Sequence, residues 1–230
     1  MKKIFIFLLI LLMVRILFAT IVDFTTYTEV DEGGDITVAE NSITISTIDC
    51  LNENSYVYKD MGADYFDGDF THYVSFGTDN PNTSTWFSVW MVANGVGNRY
   101  ALREADVDYI SIYHHNLRLT LVECNGGVET DDDSDQRIGS VTWYLTLRRD
   151  EAVGANGTIY CDIHSDASRE TLIETLSVTL SEKQDFRYIY GFATFDVSTP
   201  GVDWSGSIFD LDLNPSSGST AKNVIVIFDD

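Results

Sequence analysis

Cations are scarce in this chain. Fourteen lysines and arginines face 36 aspartates and glutamates, and the formal net charge is −22. Such a surface repels phosphate backbones and anionic headgroups, which excludes nucleic acid as a partner and leaves the membrane only the N-terminal segment to hold. Prolines are equally few, three in 230 residues, and no Pro-rich linker or internal repeat divides the chain. Three cysteines, Cys50, Cys124 and Cys161, allow at most one internal disulfide and exclude a disulfide scaffold. Their spacing is too wide for a CxxC metal knuckle, so they are expected to act as small buried apolar groups. Four histidines stand in no Ser-His-Asp or Cys-His arrangement, and no glycine-rich phosphate loop is present. Long stretches of helical period are missing as well.

One uninterrupted apolar run is present, and it opens the chain. Lys2 and Lys3 precede residues 4–14, all apolar, and the stretch ends at Ala19. This is the layout of a signal peptide over residues 1–19, with Ala19 suiting the small-residue position before the cut. If the segment is retained, residues 4–22 approach the ~20 needed to span a bilayer and anchor the chain by its N-terminus. Either outcome places the remainder outside the cell, secreted or at the surface. Cleavage removes three more cations, so the exported chain is more acidic still.

The rest reads as strands. Residues 42–48, 55–59, 72–76, 85–93, 109–113, 117–122, 141–148, 158–163, 176–180, 186–195, 207–213 and 224–228 are short runs rich in Val, Ile, Phe, Tyr, Trp and Thr, separated by Gly, Asn and Asp breakers. His72, Val74 and Phe76 share one face. Residues 85–93 are apolar on both faces, with Trp86 and Trp90 expected on one and Phe87, Val89 and Met91 on the other, as in a central strand covered twice. Residues 167–176 fit either a turn of helix or a strand connection. The expected architecture is an all-β, two-sheet antiparallel jelly roll over residues 20–213, followed by a Ser/Gly/Asn linker and a last strand within 214–230.

The stretch Thr142-Trp143-Tyr144-Leu145-Thr146-Leu147-Arg148-Arg149-Asp150, followed by Gly157-Thr158-Ile159-Tyr160-Cys161-Asp162-Ile163, resembles paired strands of the laminin-G-like and pentraxin-like branches of the concanavalin A-like superfamily. Residues 206–213 look like the closing strand of those domains. With the strand at 86–93, the resemblance spans about residues 36–213. It implies a concanavalin A-like jelly roll and a bias towards glycans and extracellular contacts.

Several constellations could carry chemistry. On a strand, Glu104, Asp106 and Asp108 would project to one face, and retaining glycoside hydrolases need two such carboxyls close together. The pattern is similar to the E-x-D-x-E strand of laminarinase-like hydrolases, with Asp108 one methylene short at the acid position. The run Asp131, Asp132, Asp133, Ser134, Asp135 follows Asn125-Gly126-Gly127 and reads as a loop, either a hydrated tip or a Ca²⁺ site formed by Asp131, Asp133 and Asp135. Asp67-Gly68-Asp69, with Asp64 nearby, reads foremost as a turn. The adjacent pair His114 and His115 would point to opposite faces of a strand and cannot chelate one metal together, while His72 reads as a hydrogen-bonded core residue. Among the aromatic residues, Tyr27, Tyr65, Tyr113, Trp143, Tyr160 and Trp204 lie near turns or polar neighbours, and Tyr113, Trp143 and Trp204 are the candidate sugar-stacking rings.

The functional expectation is an exported, non-catalytic binding or adhesion module whose edge loops contact a glycan or an extracellular partner, with Ca²⁺ as a candidate cofactor. Two alternatives come from other classes. One is a structural surface or virion protein that associates with itself through residues 224–228, and the other is a glycoside hydrolase using Glu104, Asp106 and Asp108.

Overall fold

The computed structural model describes residues 21–79, 85–135 and 142–213. The expected leader, the linker and the strand at 224–228 lie outside the described residues. Alternation of β-branched or aromatic side chains with polar ones produces the strands β1 (Thr28–Val30), β2 (Ile36–Ala39), β3 (Ser42–Ile48), β4 (Tyr56–Asp60), β5 (Phe70–Thr78), β6 (Phe87–Ala93), β7 (Tyr109–His115), β8 (Arg118–Asn125), β9 (Val128–Asp133), β10 (Thr142–Asp150), β11 (Thr158–His164), β12 (Leu172–Thr179), β13 (Tyr188–Thr194) and β14 (Trp204–Asp212). A short α-helix, α1 (Arg99–Glu104), interrupts them.

The strands form two seven-stranded antiparallel sheets. The first runs β1-β4-β13-β6-β7-β8-β9 and the second β12-β11-β10-β5-β14-β3-β2. Their facing surfaces supply one apolar core, with Val57, Trp90, Ile112, Phe192, Leu145 and Trp204 all fully buried. The two sheets also approach along one flank, where carboxylates take the place of apolar packing. Asp132 accepts from the backbone N–H of Ser177 on β12 at 2.8 Å, and Glu123 accepts from Ser181 N at 2.9 Å. Elsewhere acids cap loops: Asp31 accepts from the N–H groups of Gly34, Asp35 and Ile36, and Asp166 from those of Glu170 and Thr171. Part of the acidity is therefore used to satisfy backbone donors in turns.

Three local expectations are corrected. Trp86 and Trp90 do not share a face, because the β6–β7 register shifts between Ser88 and Trp90. The extra residue of this bulge resets the alternation, so Phe87, Val89 and Trp90 all join the core while Trp86 stacks outside it against His115. Asp131–Asp133 are strand rather than loop: they belong to β9, the outer edge of the first sheet, where exposed side chains tolerate charge. Residues 104–108 are not a strand either. Glu104 ends α1, Ala105 caps it and Asp106 takes a positive φ of 55°. Of the segment 167–176, residues 167–171 form the connection, as one of the two options had it, while β12 begins already at Leu172, ahead of the strand expected from 176.

A second register shift, in β13 between Tyr190 and Phe192, brackets Gly191. A Cβ there would lie 2.6 Å from Ile43 Cδ1 and 2.7 Å from Phe24 Cε1, so only glycine lets β13 approach the core this closely.

His72 sits in the core as expected, stacked on Phe70 at 4.4 Å and accepting from Trp90 Nε1 at 3.3 Å. Burial lowers its pKa to about 3, and burial likewise lowers that of His114, stacked on Phe87, to about 4. Both remain neutral in the fold while the unfolded chain protonates them below about pH 6.5, so stability is lost as pH falls through that point. The expected slope reaches about 1.4 kcal/mol per pH unit for each histidine between pH 6 and 4.5. Urea midpoints of the wild type and of His72→Phe measured across this range test it: the variant should show the shallower dependence.

Candidate functional site

The outward face of the first sheet carries a patch of tyrosines. Tyr56 and Tyr58 flank the inward Val57 on β4, and Tyr188 and Tyr190 flank the inward Ile189 on β13, so all four rings emerge on the same side. The register places Tyr190 opposite Tyr58 and Tyr188 opposite Asp60. Ring centroids are 5.6 Å apart for Tyr58 and Tyr190, 5.8 Å for Tyr56 and Tyr58, and 6.0 Å for Tyr58 and Tyr188. Tyr190 forms the floor. It is buried, its hydroxyl donates to Gly95 O at 2.8 Å and accepts from Gly97 N, and burial pushes its pKa far up. Tyr56, Tyr58 and Tyr188 remain half-buried.

Helix α1 and the loop before it wall this patch on its inner side. Asn98 caps the helix by accepting from Ala101 N at 2.9 Å, and its amide donates to Asn54 Oδ1 at 2.8 Å, which ties the wall to the segment leading into β4. Arg99 then reaches down to the sheet. Its guanidinium lies 3.6 Å from the Tyr113 ring and 4.3 Å from that of Phe195, and its Nη1 donates to Glu129 at 2.8 Å. Tyr109 donates to the same carboxylate at 2.5 Å. The centre of the face is thereby filled, and the tyrosine patch is its open flank.

The expected stacking residues sit elsewhere. Trp204 is fully enclosed, 3.9 Å from Phe87 between ring centroids, and its Nε1 donates to Thr78 Oγ1, so it presents no face to a ligand. Tyr113 is 6% exposed beneath Arg99. Trp143 packs half-buried against the core from β10. Tyr27 is buried with the Lys59 ammonium 5.6 Å from its ring, Tyr160 is covered by Arg148 at 4.0 Å, and Tyr65 is exposed. On the other sheet Tyr73 is likewise covered, by Arg169 at 4.2 Å. Tyr56 and Tyr58, by contrast, have no cation over them among the described residues.

Nor are the acidic constellations assembled as the sequence suggests. Glu104 pairs with Arg103 at 3.0 Å, Asp108 accepts from Gly126 N at 2.9 Å, and without a strand the three carboxyls of 104, 106 and 108 lose their common alignment. Asp131 and Asp133 share the outer side of β9 with Glu129, and Thr120 donates to Asp133 at 2.5 Å. Asp135 lies beyond the strand end, where its N–H donates to Glu174 at 2.9 Å. Among the described residues no group of three or more His, Cys, Asp or Glu side chains is placed to hold a metal ion. The three cysteines are free and buried. No helix among the described residues is long and apolar enough to cross a membrane.

A cleft of about 340 Å³ opens elsewhere, lined by Ile21, Val22, Tyr27, Met61, Tyr65 and Leu213 among others. None of the four tyrosines of the patch lines it. Sequence reasoning missed Tyr56, Tyr58, Tyr188 and Tyr190, although the repeated Tyr-apolar-Tyr spacing in two strands carried the signal.

No protein-family model matches the sequence, and no curated protein matches it. Solved structures do share the fold. An endo-β-1,4-glucuronan lyase from the fungus Trichoderma reesei is 9% identical with a TM-score of 0.53, the match covering 83% of this chain and 87% of the lyase. A family 7 alginate lyase, A1-II′, is 10% identical at a TM-score of 0.52, covering 85% and 97%. A protein of unknown function from Shewanella oneidensis MR-1 is 13% identical at 0.51, covering 89% and 84%. At these identities the likeness is one of fold: the chain is a two-sheet antiparallel jelly-roll sandwich.

Proposed function

We propose that this chain is an exported, non-catalytic binding module that holds a neutral glycan against the tyrosine face of its first sheet. The carrying observation is the patch itself: Tyr56, Tyr58 and Tyr188 lie side by side on a rigid sheet with ring surface still open to solvent, over the fixed floor of Tyr190. Flat apolar rings with hydroxyl edges suit the C–H face and the hydroxyl rim of a sugar, and a sheet presents them without an entropic penalty for ordering. The sign of charge selects within that class. Asp60, Glu129, Asp131 and Asp133 all belong to this face, and a net charge of −22 opposes a polyanion. Glucuronan and alginate are uronate polymers, so the ligands named for the two lyases fit this surface poorly.

The test is an array of neutral and acidic oligosaccharides probed with residues 20–230 in Ca²⁺ and in EDTA. Neutral glycans are expected to bind in preference to uronates. Tyr56→Ala combined with Tyr58→Ala should weaken binding by about 1.4–2.7 kcal/mol, roughly 10- to 100-fold, with the melting temperature little changed. Loss of binding in EDTA alone would move the site to a calcium held near Asp131 and Asp133. Silence across the array would overturn the reading in favour of a protein partner or self-association.

A further inference from the structure

An exposed ion pair borders the tyrosine patch. Asp60 ends β4 and Arg187 immediately precedes β13; Arg187 Nε donates to Asp60 Oδ1 at 2.8 Å and Nη2 to Oδ2 at 2.5 Å. Gly62 N also donates to Asp60 Oδ1, at 2.9 Å, so the carboxylate is held from the backbone as well. Both side chains are nearly half-exposed, a setting in which ion pairs add little to stability. Asp60 stands directly across from Tyr188, and the Arg187 guanidinium lies 5.2 Å from the Tyr188 ring.

The contacts leave part of the hydrogen-bonding capacity of both groups unused. A guanidinium has five N–H donors in a rigid plane, and two are engaged here; a carboxylate has about four acceptor positions, and three are engaged. What remains, both N–H groups of Nη1, the second of Nη2 and a carboxylate lone pair, takes no protein partner among the described residues. Donor and acceptor therefore sit next to each other at the edge of the Tyr188 ring, in fixed relative position. Two adjacent sugar hydroxyls supply the complement, one accepting from Arg187 and the other donating to Asp60. Because the pair is neutral overall, it gives no net attraction to a uronate.

We propose that Asp60 and Arg187 are the specificity-determining edge of the tyrosine platform, reading a free vicinal diol on a neutral sugar ring stacked beside Tyr188. The inference rests on the glycan-binding reading above and adds a linkage preference to it. Internal units of a 1,4-linked hexose chain keep hydroxyls 2 and 3 free as neighbours, whereas internal units of a 1,3-linked chain have no free adjacent pair. The platform should therefore prefer 1,4-linked chains.

Calorimetric titration with β-1,4- and β-1,3-linked glucose hexasaccharides distinguishes the contributions of ring and edge. Wild-type residues 20–230 should bind the 1,4-linked chain about tenfold more tightly, the effect of hydrogen bonds to charged groups. Asp60→Asn and Arg187→Gln should erase that ratio while leaving the melting temperature unchanged. Tyr58→Ala should weaken both ligands and keep the ratio. Equal wild-type affinities, or a ratio that survives both edge substitutions, overturn the assignment of Asp60 and Arg187 and leave the platform standing. No binding of either chain by the wild type, with Tyr58→Ala indistinguishable from it, overturns this inference, and the array described above then decides the platform reading separately.

Discussion

Trp204→Ala is expected to lower the free energy of unfolding by about 3–5 kcal/mol, the range for deleting a large buried aromatic. The indole is fully enclosed between the sheets, with Phe87 at 3.9 Å and Phe76 and Phe192 at 6.1 Å between centroids. Removing it opens a cavity that strands cannot collapse into, because both sheets are fixed by their ladders. It also leaves Thr78 Oγ1 without the 2.9 Å bond from Nε1. Against a typical total of about 5–15 kcal/mol, that loss consumes much of the margin. Trp204→Phe fills most of the space and should retain more of the stability. Urea unfolding measures both; an alanine variant within about 1 kcal/mol of wild type would put the side chain at the surface, where a ligand could use it.

Glu129→Ala should be nearly as severe, for an electrostatic reason. Arg99 is fully buried, and Glu129 is its only hydrogen-bond partner among the described residues, at 2.8 Å. With the carboxylate gone, a guanidinium remains in an apolar layer between Tyr113 and Phe195, held only by ring contacts. Breaking a buried pair from one side costs about 3–5 kcal/mol, and because Glu129 is itself partly exposed the lower end applies. The hydroxyl of Tyr109 loses its acceptor at the same time. The double change Arg99→Met with Glu129→Leu should recover most of the loss, since it removes the charge together with its partner. If the single substitution were silent, α1 would not be pinned through this pair, and the wall beside the tyrosines would be mobile.

The strands were legible because half-buried sheets impose a two-residue period: His72, Val74 and Phe76 all reach the core as that period predicts. Three kinds of feature escaped it. A bulge changes the face of every following residue without changing composition, which is how Trp86 and Trp90 came to be separated. An acidic run reads as a loop, yet at a sheet edge the ladder bonds to the backbone and the side chains face water, as in Asp131–Asp133. Helix α1 has six residues, too few for a helical period to show, and what holds it is the Asn98 cap and the Arg99 contacts rather than any amphipathic stripe.

The candidate site was less legible than the fold for a related reason. Trp204 and Tyr56 both look like aromatics among polar neighbours, and which of them is enclosed depends on strand pairing rather than local composition. In β4 the inward positions belong to Val57, so the tyrosines on either side are turned out; in β14 the indole is turned in.

Chemical-shift mapping by NMR, titrating residues 20–230 with a neutral β-1,4-linked oligosaccharide, tests the glycan-binding account most directly. The account predicts perturbations centred on Tyr56, Tyr58 and Tyr188, extending to Asp60 and Arg187 and falling away beyond α1. Shifts concentrated instead on Tyr73, Tyr144 and Tyr160 of the opposite sheet, or along Asp131 and Asp133, would contradict it.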